Sequence, residues 1–426
     1  MYRRRVRFYQ SAIFILALGY LAQAATPLRL HHDAVVLLSI ADSVAHGGGF
    51  RFNGEPTFFP PGYPAFVALL LKLRLAHNWV LIGFNIISLF VGLSAVSYVL
   101  LHRIVDTIFP VLNVCLVSSL SFVFIKYSTI PLTDVGFFGI AMCCLALMES
   151  ASQVGFGRKF WQRIIASWIL ALAALAVRRV GLALIPALLW SIISHEEGRR
   201  YIQRISNRTK IAIVLCLGCA SAFIAWIVME TSTLRDRQIV LMGHSLTDAV
   251  PQILSFRLRE LGEITCNLPF LTLPASIQHA VPVIGAVFLA LVLGGIVLKR
   301  EISPTTVFLC CYSLIIFSWP YYDPRFWLPV IPLLVAYSWL SIRRIGRIMR
   351  DGFCCEIFGV VYVALFVAMG ILTLLSSTLV TFAGSEFPNI YREQNYHSTY
   401  CAVFPSCNGD QPKVDEDALH VLRTFK

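Results

Sequence analysis

Charge is scarce in this chain. Only 14% of its 426 residues are Asp, Glu, Lys or Arg, against 57% hydrophobic residues, and the mean hydropathy is +0.73. A soluble globular domain is excluded by that balance. Internal repeats and low-complexity segments are missing too. The adjacent cysteine pairs Cys143-Cys144, Cys310-Cys311 and Cys354-Cys355 lack zinc-site spacing and read as small buried hydrophobes. Cys401 and Cys407 differ, because they lie in a C-terminal segment expected outside the membrane, where an oxidising compartment permits a disulfide.

What is present is a series of about eleven apolar segments. They run from about Ser11 to Ala25, Trp79 to Leu101, Val111 to Ile125, Val135 to Met148, Ile164 to Val177, Val180 to Ile193, Ile211 to Met229, Val281 to Leu298, Thr306 to Phe317, Trp327 to Ile342 and Ile357 to Thr381. The fifth and sixth are short, and the Arg pair between them leaves room for one broken element. The expected fold is all-α, a polytopic membrane protein with about 11 transmembrane helices. Basic residues fall into every second connection: the N-terminus, His102-Arg103, Arg158 to Arg163, Arg199 to Lys210, Lys299-Arg300 and Arg343 to Arg350. By the positive-inside rule that face is cytoplasmic. The rule also accounts for the +12 net charge without any nucleic-acid partner. The N-terminus is therefore expected in the cytoplasm, with the protein in a bacterial inner (plasma) membrane.

The opposite face receives the chemically useful residues. In the outer loop 26–78, Asp33 to His46 places Val36, Leu37, Ile40 and Val44 at helical spacing, the pattern of an amphipathic helix lying in the interface. Phe58-Phe59-Pro60-Pro61-Gly62-Tyr63-Pro64 then opens a second helix too short to span. Residues 1–381 are expected to form the membrane domain and 382–426 a short outer tail, too small for a core of its own.

Asp33 suits either a helix N-cap or a catalytic base, and His31 and His32 beside it are interfacial polar residues or phosphate contacts. Asp134 sits at the outer mouth of the fourth segment, where Thr133 competes with it as a cap. Arg178 and Arg179 interrupt an apolar run on the face where basic residues are disfavoured. They are either headgroup anchors or bidentate phosphate ligands. In Trp319-Pro320-Tyr321-Tyr322-Asp323-Pro324-Arg325-Phe326-Trp327-Leu328-Pro329, the aromatics fit an interfacial belt, whereas Arg325 at the mouth of a helix does not. Together these groups suit one reaction: a carboxylate takes a proton from an acceptor hydroxyl as it attacks an anomeric carbon, and cations stabilise a departing lipid phosphate.

The order of these motifs over about Met1 to Leu340 resembles the GT-C superfamily of integral membrane glycosyltransferases, especially the branch with protein O-mannosyltransferases and lipid A aminoarabinose transferases. The matching pieces are Asp33 after the first segment, Phe59-Pro60-Pro61-Gly62-Tyr63-Pro64, Thr133-Asp134, Arg178-Arg179-Val180-Gly181-Leu182, and Asp323 to Pro332. The resemblance implies catalytic Asp33 with Asp134 in support. It implies a polyprenyl-phosphate sugar as donor, with Arg178, Arg179 or Arg325 binding its phosphate; His32, Tyr63 and Tyr322 are further candidate substrate-binding residues. The acceptor is a protein, glycolipid or glycan, and the other partners are membrane lipids. No cofactor is predicted, and a divalent metal requirement is left open. The chain departs from that branch in having a single Asp33 where an Asp-Glu pair is common, and no large soluble C-terminal domain.

Two other readings use the same residues. A transporter of an anionic substrate fits the spans and the Arg pair but usually shows repeats and broken midplane helices. A lipid-linked polysaccharide polymerase or ligase would use a large later loop, for which Arg235, Arg237, His244, Arg257, Arg259 and Glu260 are available. The topology is testable directly. Single cysteines at Asn53 and at Arg347 should label with impermeant maleimide from opposite faces of the membrane; labelling from the same face would remove the outer site.

Overall fold

The computed structural model describes residues 2–57, 59–105, 107–195, 246–348, 352–391, 394–405 and 414–425. These are helical almost throughout; the one pair of strands, Arg51–Phe52 and Glu55–Pro56, is a hairpin whose Asn53 and Gly54 both adopt positive φ, as a tight two-residue turn requires. Among the described residues six helices are long and apolar enough to cross a membrane: Asn78–Arg103, Thr133–Ala151, Arg158–Val177, Ala275–Lys299, Pro324–Ile348 and Gly359–Thr381. A seventh crossing exists if Ile108–Ser119 and Phe122–Ser128, bent by 55° at their junction, are taken as one span.

The expected eleven thus compare with six, or seven with the bent pair, among the described residues. Ser11–Ala25, Arg179–Ile193 and Pro304–Phe317 are apolar but short. At about 1.5 Å per residue they fall well below the roughly 30 Å of a hydrocarbon core. The expected segment from Ile211 to Met229 lies outside the described residues.

The helices used below are α1 (Tyr2–Ala22), α2 (His32–Ala45), α3 (Gly62–Lys72), α4 (Asn78–Arg103), α5 (Ile108–Ser119), α6 (Phe122–Ser128), α7 (Thr133–Ala151), α8 (Arg158–Val177), α9 (Leu184–Ile193), α10 (Leu246–Cys266), α11 (Val281–Lys299), α12 (Pro304–Phe317), α13 (Ile331–Ile348), α14 (Gly352–Thr381) and α15 (Glu416–Thr424). The bundle packs α4 on α7, α7 on α8, α10 on α11 and α11 on α13. Inside lipid, apolar contact alone gives little preference for a neighbouring helix over acyl chains, so close backbone approach at small residues matters. Gly139 of α7 lies against the backbone of Ser88 in α4. Gly285 of α11 lies against the Leu258 carbonyl of α10, and Gly295 against the Tyr337 carbonyl of α13; a Cβ at Gly285 or Gly295 would come within 2.0 Å of that oxygen.

Polar bonds show how the connections are distributed. Arg103 at the end of α4 pairs with buried Glu149 of α7 at 2.6 Å, and the same carboxylate accepts from the Thr305 amide at 3.0 Å, at the start of α12. Arg163 of α8 donates to the Ser150 carbonyl. The described basic connections thus gather at one end, and Asp33, Asp134, Arg178 and Arg325 gather at the other.

One expectation for the segment 26–78 changes. The sequence suggests a narrow apolar stripe on α2, but Ala34, Val35, Val36, Leu37, Leu38, Ile40 and Ala41 are all buried. The cause is that protein rather than lipid covers the helix, with α3 and α15 both packed on it. The C-terminal segment packs against the same region. Tyr400 Oη donates to the Leu28 carbonyl at 2.9 Å and accepts from the Leu30 amide at 2.6 Å, while Asn53 donates to Asp417 at 2.9 Å. Cys401 is disulfide-bonded; Cys407 lies outside the described residues.

The glycine contacts predict a contrast. Gly285→Leu should lower the apparent melting temperature in detergent sharply, since overpacking typically costs about 1–3 kcal/mol. Gly359→Leu, where a side chain meets nothing within 4 Å, should leave it unchanged. Equal effects would show that the α10–α11 contact is not close.

Candidate active site

The site is built from three helix starts and one corner. The N-cap of α2 is His31, whose Nδ1 accepts from the Asp33 amide at 3.3 Å. With the cap supplied by His31, the Asp33 side chain is free for another role. It forms an ion pair through Oδ2 with Arg325 Nη2. Among the described residues Oδ1 has no bonded partner, and the side chain is 27% exposed.

Arg325 lies in the 3-10 segment Pro324–Val330 that leads into α13. Asp323 caps that segment by accepting from the Arg325 amide at 3.0 Å and also pairs with Arg325 Nε at 2.7 Å. Tyr127, at the end of α6, donates to Asp323 at 3.2 Å. One guanidinium is therefore held between two carboxylates, one from each end of the chain.

Asp134 is in the first turn of α7, where the helix dipole favours an acid, but neither it nor Thr133 caps the helix by a side-chain bond. It is 1% exposed and pairs with Arg178. Arg178 is the extended residue between α8 and the 3-10 turn Arg179–Ala183. Gly181 allows that tight reversal, since a Cβ there would come within 2.8 Å of the Ala174 and Leu175 backbone. The fifth and sixth expected segments are thus two elements joined by a corner. Arg178 and Arg325 both face the Phe326 ring, with guanidinium carbons 5.9 and 5.4 Å from its centroid. The two ion pairs therefore flank a single aromatic side chain.

The remaining expected residues are less concentrated. His32 is exposed beside Asp33. Arg179 is half-buried in the corner. Tyr63 is buried in α3, and its hydroxyl has no partner among the described residues. Tyr322 meets the Phe256 ring edge-on.

Burial works to raise the Asp33 carboxyl, but the Arg325 guanidinium outweighs it and holds the group below its ordinary value. Burial first, and then Arg325, pushes His31 down to about 4, so this cap is neutral and suited to accepting the amide bond. The carboxylate next to it stays ionised at neutral pH.

Several participants were not singled out from sequence. Asp323 opens the matching Asp323 to Pro332 segment but was given no role of its own. Lys126, exposed on α6, acts electrostatically on both His31 and Glu263; its position at the break of an apolar run was the available signal. Arg257 and Glu260, which the polymerase reading requires in an open loop, are fully buried behind the Asp323 to Trp327 segment. Arg235, Arg237 and His244 lie outside the described residues. Among the described residues no three His, Cys, Asp or Glu side chains are grouped so as to hold a metal ion.

No family model matches the chain, and no curated protein matches it in sequence. Solved structures do. The archaeal oligosaccharyltransferase AglB from Archaeoglobus fulgidus, in complex with an inhibitory peptide and a dolichol-phosphate, aligns over 99% of this chain and 64% of its own, with a TM-score of 0.50 and 11% identity. ArnT from Cupriavidus metallidurans aligns over 99% of this chain in two states. In the apo state the alignment covers 84% of ArnT, with a TM-score of 0.48 and 12% identity. Bound to undecaprenyl phosphate it covers 75%, with 0.45 and 13%. The chain thus spans a little under two thirds of AglB and shares its fold, and the expected all-α polytopic membrane architecture is borne out.

The Asp134–Arg178 pair predicts a specific stability pattern. Asp134→Leu alone leaves a buried guanidinium uncompensated and should cost about 3–5 kcal/mol, whereas Asp134→Leu with Arg178→Met should recover most of the loss. Thermal unfolding in detergent checks this; equal loss in both variants would mean that the pair is not the source of the effect.

Proposed function

We propose that the protein is a membrane glycosyltransferase that moves a sugar from a polyprenyl-phosphate carrier to an acceptor hydroxyl on the extracytoplasmic face, with inversion. The observation that carries this reading is the position of Asp33. It is an ionised carboxylate with one oxygen held by Arg325 and the other open, at the end of the bundle away from the described basic connections. Support comes from the fold shared with AglB, a protein solved with dolichol-phosphate, and from the ordered motifs of the sequence. The buried Arg257 and Glu260 weigh against the polymerase reading.

In this reaction the open Asp33 oxygen accepts the proton of the acceptor hydroxyl as that oxygen bonds to the anomeric carbon. The bond from that carbon to the phosphate oxygen breaks, and the polyprenyl phosphate leaves with the electron pair. A single base is sufficient because displacement is direct; a retaining path would need a carboxylate nucleophile placed at the sugar. A carboxylate tied to an arginine is a weak base, so proton transfer falls late, when the attacking oxygen has become acidic.

Arg178 and Arg325 each keep guanidinium N–H groups beyond those spent on Asp134, Asp33 and Asp323. Together with Arg179 and Lys126 they supply the positive edge for the lipid phosphate, where low dielectric strengthens the attraction. Asp134, being buried, acts by holding Arg178. The orphaned Tyr63 hydroxyl costs about 1–3 kcal/mol unless a bound polar group relieves it, which suits a donor contact. His32 and Tyr322 border the same end and complete the proposed binding set. We place the protein in a bacterial inner membrane with its N-terminus in the cytoplasm, residues 1–381 as the catalytic unit and the tail outside. The acceptor is a protein, a glycolipid or a glycan.

Asp33→Asn should reduce transfer by about 100-fold or more with normal membrane insertion. Mass analysis of lipid-linked sugars and outer glycans in cells with and without the protein supplies the assay. A surviving turnover near the parent value would leave Asp33 a structural residue. Among Arg178→Lys, Arg179→Lys and Arg325→Lys, at least one should impair turnover strongly through loss of the bidentate fork. Normal transfer by all three would reduce these arginines to headgroup anchors.

A further inference from the structure

Behind the loop that carries Arg325 lies a fully buried acid that the proposed reaction does not use. Glu260 of α10 is 0% exposed and employs both carboxylate oxygens. Oε1 accepts from the Asp323 amide at 2.7 Å, and Oε2 accepts from the Trp327 indole at 2.8 Å. Arg257, one turn earlier and equally buried, lies 2.7 Å from Oε2. Arg257 Nη2 also donates to the Tyr321 and Trp319 carbonyls. A single face of α10 thus grips the segment from Trp319 to Trp327 at successive points, with Arg325 between the two groups that Glu260 holds.

Burying an acid so completely is costly, and hydrophobic residues would fill the same space at lower cost. The pair is therefore better explained by what it fixes than by stability. The bonds set the backbone at Asp323 and the side chain of Trp327, leaving Arg325 little freedom to leave Asp33.

We infer that Glu260 is a positioning residue which, through Asp323 and Trp327, holds Arg325 against Asp33 and so sets the protonation of the catalytic carboxylate. This rests on the reading of Asp33 as the base. Arg325 acts most strongly on Asp33 after burial itself, followed by His31 and His32, and Arg178 feels the Asp33 charge from α8. Around Glu260 the charged groups are Arg257 and Asp323. Burial pushes the Glu260 carboxyl up, opposed by Arg257 and by the bonds from the Asp323 amide and the Trp327 indole, so Glu260 and Arg257 share a site where charge is poorly solvated.

Glu260→Gln keeps the size but provides only one acceptor for two N–H donors, so one anchor must fail. If Arg325 then withdraws, burial dominates at Asp33 and its pKa rises. The carboxylate is competent only when deprotonated, so the acid limb of the kcat/KM profile should move to higher pH by about one unit or more. Activity should recover on the alkaline side. The same shift should appear in pH-dependent carbodiimide labelling of Asp33, read by peptide mass spectrometry on the full-length protein, because the protonated acid is the reactive form. That readout needs no turnover. Trp327→Phe, which removes one donor and leaves the Asp323 bond, should shift labelling the same way by less, and it carries the test if Glu260→Gln does not fold. Unshifted labelling in a folded variant overturns the inference. A shifted labelling curve with Asp33→Asn still active overturns the base assignment and leaves the positioning role intact.

Discussion

The Asp33–Arg325 ion pair joins residues 292 positions apart and organises the end of the bundle that holds the candidate site. Neither partner is stable alone at the edge of hydrocarbon: a lone guanidinium or carboxylate there is poorly solvated. Pairing compels α2 to sit at the mouth of α13, which brings His31, Asp33, Asp323 and Phe326 into one neighbourhood. Asp134 and Arg178 repeat the device one helix away. Both pairs bear on the Phe326 ring, so the two polar elements are coupled through an aromatic side chain rather than through a further charge.

The architecture around the pair divides the labour. Glycine contacts between α4 and α7, and along α11, set helix spacing where the hydrophobic effect is silent. At the opposite end Glu149 joins α4, α7 and α12 with no residue of the candidate site involved. The tail adds a clamp from outside: Tyr400 fixes the main chain just before α2, and α15 covers the helix itself. The segment that presents Asp33 is therefore restrained from both sides of its N-cap.

Much of this was legible in the residues. Charge asymmetry between alternate connections separated the two ends, because Lys and Arg near span ends obey a topological rule independent of fold. Asp33, Asp134, Arg178 and Arg325 stood out because ionisable groups beside apolar runs are costly. Which acid meets which base was not legible: the pairings depend on the corner at Arg178 and on packing between distant helices. The number of crossings was less legible, for a different reason. Hydropathy marks apolar stretches but not whether a short one crosses, bends as at Leu120-Ser121, or stops. The burial of α2 was missed because its second cover, α15, comes from the far end of the chain. Glu260 was legible only as one polar residue of the stretch Glu230 to Ala280, because its partners, Asp323 and Trp327, are some sixty residues away.

The central claim is that the paired arginines and Asp33 border the headgroup of a polyprenyl phosphate. Photo-crosslinking with a polyprenyl phosphate that carries a diazirine next to the phosphate, followed by peptide mapping, tests it most directly. The account places the label on residues 319–327 or on the corner around Arg178 and Arg179, with competition by unlabelled polyprenyl phosphate. Label confined to the lipid-exposed face of α14, or to the end of the bundle around Glu149, would contradict it.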